Sequence, residues 1–129
     1  MQKTILVAED SPSIRKFITL ALKIQGYNVI PTQDGMDALE KLSKFGADLV
    51  VTDLNMPNID GIRLVKAIRE NKFFRRLPII ILSSASREED IASGIEAGAD
   101  AYLLKPFNTN KIQSEVAKLL GEIGSVMSN

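Results

Sequence analysis

The stretch TILVAEDSP, residues 4–12, decides the architecture of this chain. It starts with a short apolar run typical of a strand buried on both faces, and its Ser-Pro pair is a common helix start. Further apolar runs alternate with segments of helical periodicity, and the full set of runs lies at 5–8, 29–30, 49–51, 79–82 and 102–104. The pattern predicts an α/β fold with a doubly wound, parallel five-stranded sheet and five helices.

Residue types that favour helix N-termini precede the helical segments. The first segment is capped by Ser11, ends at Gly26, and has apolar residues at helical spacing, namely Ile14, Phe17, Ile18, Ala21 and Leu22. We expect the next three helices to follow Asp34, Asp60 and Ser86, with Glu89 completing a capping box at Ser86. A last helix is predicted from Ile112, Val116, Leu119, Leu120 and Ile123, and residues 124–129 are expected to form a fraying terminus.

Polar side chains stand at the carboxyl ends of the predicted strands. Five strands suit the order 2-1-3-4-5, whose ligand-binding switch point lies between the first and third strands. Glu9 and Asp10 follow the first strand and Asp53 ends the third, so their carboxylates are expected to converge. Two like charges about 4 Å apart repel by roughly 4 kcal/mol at an effective dielectric near 20, so a cation or a proton is required. Ser83 and Lys105 end the fourth and fifth strands, and the set predicts a magnesium pocket that handles a phosphoryl group.

Composition excludes several classes of function. Sixteen basic and sixteen acidic side chains give no net charge, and no segment approaches a membrane span, so we expect a cytoplasmic protein without a nucleic-acid or membrane partner. The absence of cysteine and histidine removes thiolate nucleophiles, disulfides, Ser-His-Asp triads and the usual zinc ligands. The length of 129 residues suits a single domain over residues 1–129, with no output domain appended.

The motifs resemble those of a known family, the receiver domains of two-component response regulators, and most of all the single-domain, chemotaxis-type CheY-like members. The resemblance spans nearly the whole chain, in five motifs that occur in the family's order. They are VAEDS at 7–11, DLNMP at 53–57 with Gly61 after it, SS at 83–84, EAGA at 96–99 and KPF at 105–107. In that combination the motifs are highly specific.

The resemblance implies a phosphoacceptor site with a metal cofactor. By that likeness Asp53 accepts the phosphoryl group, while Glu9 and Asp10 organise Mg²⁺, with Mn²⁺ as an alternative, directly or through water. Asn55 lends its backbone carbonyl to the metal, and Lys105 and Ser83 contact the phosphoryl group. The donor is expected to be a phosphohistidine on a sensor histidine kinase or a histidine phosphotransfer protein. Glu stands at position 9 where Asp is more frequent in the family.

The resemblance also implies a switch rather than an enzyme with an external substrate. Phosphorylation is expected to pull Ser83 inward and turn Tyr102 to an inward rotamer, which remodels the face of the fourth helix, fifth strand and fifth helix. A downstream protein would read that face in trans, and the chain is expected to be a monomer or a phosphorylation-linked dimer. The bond before Pro106 is expected to be cis.

Other interpretations start from the same residues. A phosphatase of the haloacid dehalogenase type also uses an aspartyl nucleophile with magnesium, but its general acid is a second aspartate where this chain has Asn55. A pseudo-receiver would be a binding module with the fold alone, although such proteins usually lack an acid or the lysine. Tyr102 could be ordinary strand packing. The basic stretch with phenylalanines at 66–76 could contact nucleic acid, but helical charges usually form a solvated face.

Overall fold

A computed structural model describes residues 2–121 as a three-layer α/β fold. Its strands are β1 (Thr4–Ala8), β2 (Asn28–Thr32), β3 (Leu49–Asp53), β4 (Ile79–Ser83) and β5 (Ala101–Leu104). Its helices are α1 (Pro12–Ile24), α2 (Gly35–Phe45), α3 (Gly61–Glu70), α4 (Glu88–Ala97) and α5 (Thr109–Leu119). All strand pairs are parallel in the order β2-β1-β3-β4-β5, which confirms the predicted fold class and strand order.

The sheet separates two apolar cores. On one face, α1 and α5 pack Ile18, Leu22, Ile112 and Val116 against the sheet. On the other face, the buried side chains of α2 and α3 include Ala38, Leu42, Leu64, Val65 and Ile68. Because helices cover both faces, every residue of β3 and β4 is buried, as the unbroken apolar runs indicate.

The edge strand β2 is longer than its apolar run predicts. Only Val29 and Ile30 are apolar in the sequence pattern, whereas the strand runs from Asn28 to Thr32. Among the described strands β2 pairs with β1 alone, so Pro31 lacks an amide hydrogen on a strand with one free side. An edge strand can therefore use polar residues and proline that a central strand could not.

Side-chain caps begin four of the five helices. Ser11, Asp34 and Asp60 accept hydrogen bonds from the backbone amides of Ile14, Asp37 and Arg63, respectively, which confirms three predicted helix starts. Asn108 caps α5 in the same way. Helix α1 ends at Ile24 with Gln25 as its C-cap, and the next residue, Gly26, has a φ of 103°, a left-handed conformation that glycine adopts without strain.

The predicted capping box at Ser86 is wrong. The N-cap residue of α4 is Arg87, and it makes no side-chain capping bond. The Glu89 carboxylate lies 3.0 Å from the Arg87 guanidinium, and Asp90 also pairs with that guanidinium, so Glu89 is engaged with a cation. Three acidic residues in the first turn favour the positive end of the helix dipole and take the place of a cap.

The last helix agrees with its predicted core residues. Ile112 and Val116 are fully buried, and Leu119 and Leu120 pack partly buried against the same core. The helix ends at Leu119, while Ile123 and residues 124–129 lie outside the described residues. Within residues 2–121, the helices are too short or too polar for any of them to cross a bilayer.

Candidate functional site

The register of β1 and β3 brings three carboxylates together. Ala8 pairs with Thr52, so the next residues, Glu9 and Asp53, lie side by side where the two strands end. One carboxylate oxygen from each of Glu9, Asp10 and Asp53 lies within 4.8 Å of the other two. Glu9 is 0% exposed and Asp53 is 5% exposed, whereas Asp10 faces solvent. The predicted convergence of the acids is therefore present in the structure.

Lys105 is the cation that faces these acids. It follows β5, and its Nζ lies 3.0 Å from Glu9 Oε1 and 3.1 Å from Asp53 Oδ1. The ammonium thus bridges the two buried carboxylates. Because two buried like charges repel strongly, this bridge stabilises both acids where the strands end.

Backbone groups fix the orientation of both acids. Glu9 Oε2 accepts from the amide of Ser11 at 3.2 Å, and Asp53 Oδ1 accepts from the amide of Leu54 at 2.9 Å. Arg15, one turn into α1, donates to the backbone carbonyl of Glu9 at 2.8 Å. Within residues 2–121, the hydrogen bonds to the Asp53 carboxylate both fall on Oδ1, so Oδ2 is the oxygen open to other chemistry.

The electrostatics of the site follow from burial and pairing. Burial raises the pKa of Glu9 and the charge of Asp53 adds to this, although hydrogen bonds from Lys105 and the Ser11 amide partly oppose the rise. Burial on its own would lower the pKa of Lys105, but its hydrogen bonds to Glu9 and Asp53 outweigh that effect and raise the pKa. Lys105 is therefore a fixed positive charge at neutral pH, and Glu9 is the acid that burial disfavours as an anion.

Ser83 ends β4 at the same strand edge. Leu82 pairs with Asp53, so Ser83 lies one residue beyond that pair, and its side chain is buried. Its Oγ accepts a hydrogen bond from the amide of Ala85 at 2.9 Å. Tyr102 of β5 donates its hydroxyl to the carbonyl of the same Ala85 at 2.9 Å. The loop after β4 thus connects the serine to the tyrosine, a link through Ala85 that the sequence did not indicate.

Two further residues from the sequence analysis lie in the loops around the acids. Asn55 is exposed in the loop after β3, where it lines a cavity of about 220 Å³ together with Asp60 and Asp90. The peptide bond between Lys105 and Pro106 is cis.

Gly61 has a packing role that the sequence motif did not explain. Its amide donates to the carbonyl of Leu54 at 2.8 Å. A Cβ at this position would meet the backbone carbonyl of Asp53 and would lie 2.8 Å from Leu54 Cα. The start of α3 can approach the end of β3 this closely only because residue 61 has no side chain. In the sequence, the signal for this close approach was a glycine directly after the capping residue Asp60.

The donor set fits a hard divalent cation. Three carboxylates with oxygens within 4.8 Å of one another carry three formal negative charges, against one nearby ammonium. Mg²⁺ and Mn²⁺ prefer such oxygen ligands and commonly keep several waters, which suits a cluster with one solvent-exposed member. The arrangement can hold a metal ion and present a carboxylate, an ammonium and a hydroxyl to one small anionic group.

Comparison with known proteins identifies the family. The sequence of residues 5–117 matches the family model of the response regulator receiver domain. The transcriptional regulatory protein PhoP for alkaline phosphatase synthesis, from Bacillus subtilis, is 38% identical over 120 residues, which cover 93% of this chain and 49% of PhoP. The chain thus spans about half the length of the curated relatives it matches.

Solved structures agree with that match. Chemotaxis protein CheY4 of Vibrio cholerae superposes with a TM-score of 0.87 at 32% identity, covering 92% of this chain and 98% of CheY4. The Mn²⁺-bound form of response regulator Rcp1 superposes with a TM-score of 0.80 at 27% identity, covering 92% of this chain and 94% of Rcp1.

Proposed function

Because the chain belongs to the response regulator receiver family, we propose that Asp53 accepts a phosphoryl group from a phosphohistidine on a partner protein. The observation that carries this proposal is the buried Asp53 carboxylate, which Lys105 bridges to Glu9. A carboxylate held this way has one oxygen fixed and one free. It is a nucleophile beside a permanent positive charge.

The transfer follows from the two oxygens of Asp53. Oδ1 is held by the Leu54 amide and by Lys105, so Oδ2 is the oxygen that forms the new bond to phosphorus. As that bond forms, the P–N bond of the donor phosphohistidine breaks and its electron pair stays on the imidazole nitrogen. Lys105 and the Ser83 hydroxyl stabilise the negative charge on the transferred oxygens by hydrogen bonds. Hydrolysis of the acyl phosphate later returns Asp53.

We also propose that Mg²⁺ binds at this site, with Mn²⁺ as an alternative. Glu9, Asp10 and Asp53 would hold it with their carboxylates, directly or through water, and Asn55 with its backbone carbonyl. When bound, the ion supplies positive charge that neutralises the phosphoryl oxygens. The cluster of three acids supports this, as does the Mn²⁺-bound form of the relative Rcp1.

The phosphoryl donor is proposed to be a sensor histidine kinase or a histidine phosphotransfer protein. Receiver domains take phosphoryl groups from histidine kinases, and one similar solved structure is itself the receiver domain of a signal transduction histidine kinase from Syntrophus aciditrophicus. These 129 residues include no histidine, so the donor imidazole lies outside them.

The response to phosphorylation is proposed to run through Ala85. The Ser83 hydroxyl accepts from the Ala85 amide, and rotation of that hydroxyl towards Asp53, where it would donate to a phosphoryl oxygen, would break this bond. Release of Ala85 moves the carbonyl that anchors the Tyr102 hydroxyl. Tyr102 lies on β5 between α4 and α5, so a downstream protein that binds the α4-β5-α5 face would sense the change. The mechanism is a population shift between two packings of this face.

We propose no reaction beyond phosphoryl acceptance and self-catalysed loss of the group. A phosphatase of the haloacid dehalogenase type needs a general acid two residues after the nucleophile. That residue is Asn55, whose amide cannot donate a proton in that role.

Intact-protein mass spectrometry tests the proposal. Incubation with a small acyl phosphate and Mg²⁺ should add one phosphoryl group, and Asp53→Asn should abolish the addition. Asp60→Asn is the matched control, because it changes another aspartate in the same loop region and asparagine also caps helices. Addition that survives Asp53→Asn, or that is lost equally in Asp60→Asn, would contradict the assignment.

A further inference from the structure

The most exposed apolar side chains of the described residues share one sequence context. Among residues 2–121, the three largest exposed fractions of big apolar side chains are 80%, 78% and 58%, at Ile24, Phe73 and Phe45. A lysine precedes each of them. We call this set the lysine–apolar edge, and it consists of the pairs Lys23-Ile24, Lys44-Phe45 and Lys72-Phe73.

The three pairs lie at the same end of the sheet. Ile24 and Phe45 are the last residues of α1 and α2, and Phe73 lies in the turn segment after α3. In a parallel sheet with crossover helices, each helix ends where the next strand begins. These positions lie at the amino ends of the strands, opposite to Asp53 at the carboxyl end of β3. Because α1 covers one face of the sheet and α2 and α3 the other, the lysine–apolar edge extends across all three layers.

The charges of this edge are available to a partner. Lys44 Nζ and Lys72 Nζ each lie 5.3 Å from the ring centre of the phenylalanine that follows. In the part of the chain that the structure describes, none of the three lysines forms an ion pair with a carboxylate. Arg75 and Arg76 are also exposed beside Phe73, so that the cations at this end of the sheet outnumber exposed acids such as Asp48 and Glu70.

Helix stability alone does not explain the pattern. A lysine in the last turn of a helix is favoured by the helix dipole, which applies to Lys23 and Lys44. Lys72 lies beyond the end of α3 and gains less from that effect. The dipole also gives no reason for a large apolar residue to follow each lysine in solvent. Single exposed apolar residues are ordinary, but three at one end of the sheet, each with an adjacent cation, are more than the helix dipole accounts for.

We propose that the lysine–apolar edge binds peripherally to an anionic lipid bilayer. Cations next to exposed aromatic and aliphatic side chains are the composition of interfacial membrane anchors, in which lysines meet anionic headgroups and apolar groups enter the boundary. The pairs stand on three separate elements, so they offer a broad edge rather than a groove for one peptide. Ile24 has no ring that could stack on a nucleic-acid base. Bilayer binding departs from the sequence-based expectation, which rested on a net charge that averages over this local asymmetry.

The orientation that follows is compatible with phosphoryl transfer. Asp53 lies at the opposite edge of the sheet, so the bound protein would present its carboxylate cluster away from the bilayer. Binding uses no residue of that cluster, so the bilayer proposal and the phosphoacceptor proposal can fail independently.

Sedimentation with vesicles tests the proposal on the full chain. We expect binding to vesicles of phosphatidylcholine mixed with phosphatidylglycerol, little binding to phosphatidylcholine alone, and loss of binding as salt is raised. Each of Lys23→Gln, Lys44→Gln and Lys72→Gln should weaken the binding about fivefold, which corresponds to ~1 kcal/mol per cation near an anionic surface.

A matched pair of variants distinguishes binding through the lysine–apolar edge from non-specific hydrophobic adsorption. Phe45 and Met36 lie at opposite ends of α2 and are 58% and 57% exposed. Phe45→Ser should weaken vesicle binding, whereas Met36→Ser should not, and both should keep the wild-type circular dichroism and unfolding midpoint. Asp53→Asn should bind as the wild type does.

Several results would overturn the proposal. The absence of sedimentation with anionic vesicles would do so, as would equal losses in Phe45→Ser and Met36→Ser. Binding to an RNA oligonucleotide or an acidic peptide, without binding to vesicles, would assign the edge to another class of partner.

Discussion

Replacing Lys105 with methionine removes the ammonium that bridges Glu9 and Asp53 and keeps most of the side-chain volume. At an effective dielectric near 20, a contact of about 3 Å is worth about 5 kcal/mol of Coulomb attraction, and desolvation of the charges offsets most of it. Breaking a buried ion pair by removing one partner costs about 3–5 kcal/mol. Protonation of Glu9 relieves part of this, so we expect Lys105→Met to lower the free energy of unfolding by about 3 kcal/mol at neutral pH without divalent metal.

Urea unfolding followed by far-UV circular dichroism measures this loss. Lys41→Met is the matched control, because Lys41 also lies 3.0 Å from a carboxylate, that of Asp37, but both side chains are partly solvent-exposed. The control should lose much less stability, and added Mg²⁺ should restore part of the loss in Lys105→Met only. An equal loss in both variants, or no effect of Mg²⁺, would refute the reasoning.

Three further predictions concern the same strand edge. The pKa of Glu9 is raised above its ordinary value of 4.5, so the folded state binds more protons than the unfolded state between pH 4.5 and that raised pKa. The free energy of unfolding should therefore fall as pH rises through this window in metal-free buffer. Glu9→Gln should flatten this dependence in urea titrations, and equal slopes would contradict the assignment. Gly61→Ala should lower the free energy of unfolding by about 1–3 kcal/mol in the same assay, because its Cβ would crowd Leu54, and an unchanged midpoint would count against this packing. Ser83→Ala should still be phosphorylated but lose the phosphorylation-induced NMR shift of Tyr102, and equal shifts in both proteins would contradict the switch.

The sequence was sufficient to predict the sheet and the convergence of the acids. Unbroken apolar runs identify buried parallel strands, and in such a sheet the residues after the first and third strands have to meet. Glu9 and Asp53 could therefore be placed together before any coordinates. The edge strand β2 was recognised only in part, because Asn28 and Thr32 give no apolar signal and its hydrogen bonds to β1 define its length.

Contacts between side chains and loops were not available from the sequence. The start of α4 was misplaced because Glu89 pairs with Arg87, and spacing alone cannot distinguish a capping carboxylate from one in an ion pair. The link between Ser83 and Tyr102 runs through the backbone of Ala85, a residue whose side chain has no polar group to signal it. The sequence placed Lys105 at the carboxyl ends of the strands. Only the structure shows that it pairs with both Glu9 and Asp53.

The sequence-based expectation of no membrane partner rests on composition and on the lack of an apolar span. A net charge of zero excluded global steering, yet it did not describe where the charges lie. The three exposed lysine–apolar pairs are separated by about two dozen residues each in the sequence, and only the fold brings them to one edge.

The most direct test of the central claim is to locate the phosphoryl group. After incubation with a small acyl phosphate and Mg²⁺, borohydride reduction converts an aspartyl phosphate to homoserine, and peptide mass spectrometry then finds the altered residue. The account predicts homoserine at position 53 and at no other aspartate. Homoserine at Asp10, a phosphate ester on Ser83, or an unaltered Asp53 in phosphorylated protein would contradict it.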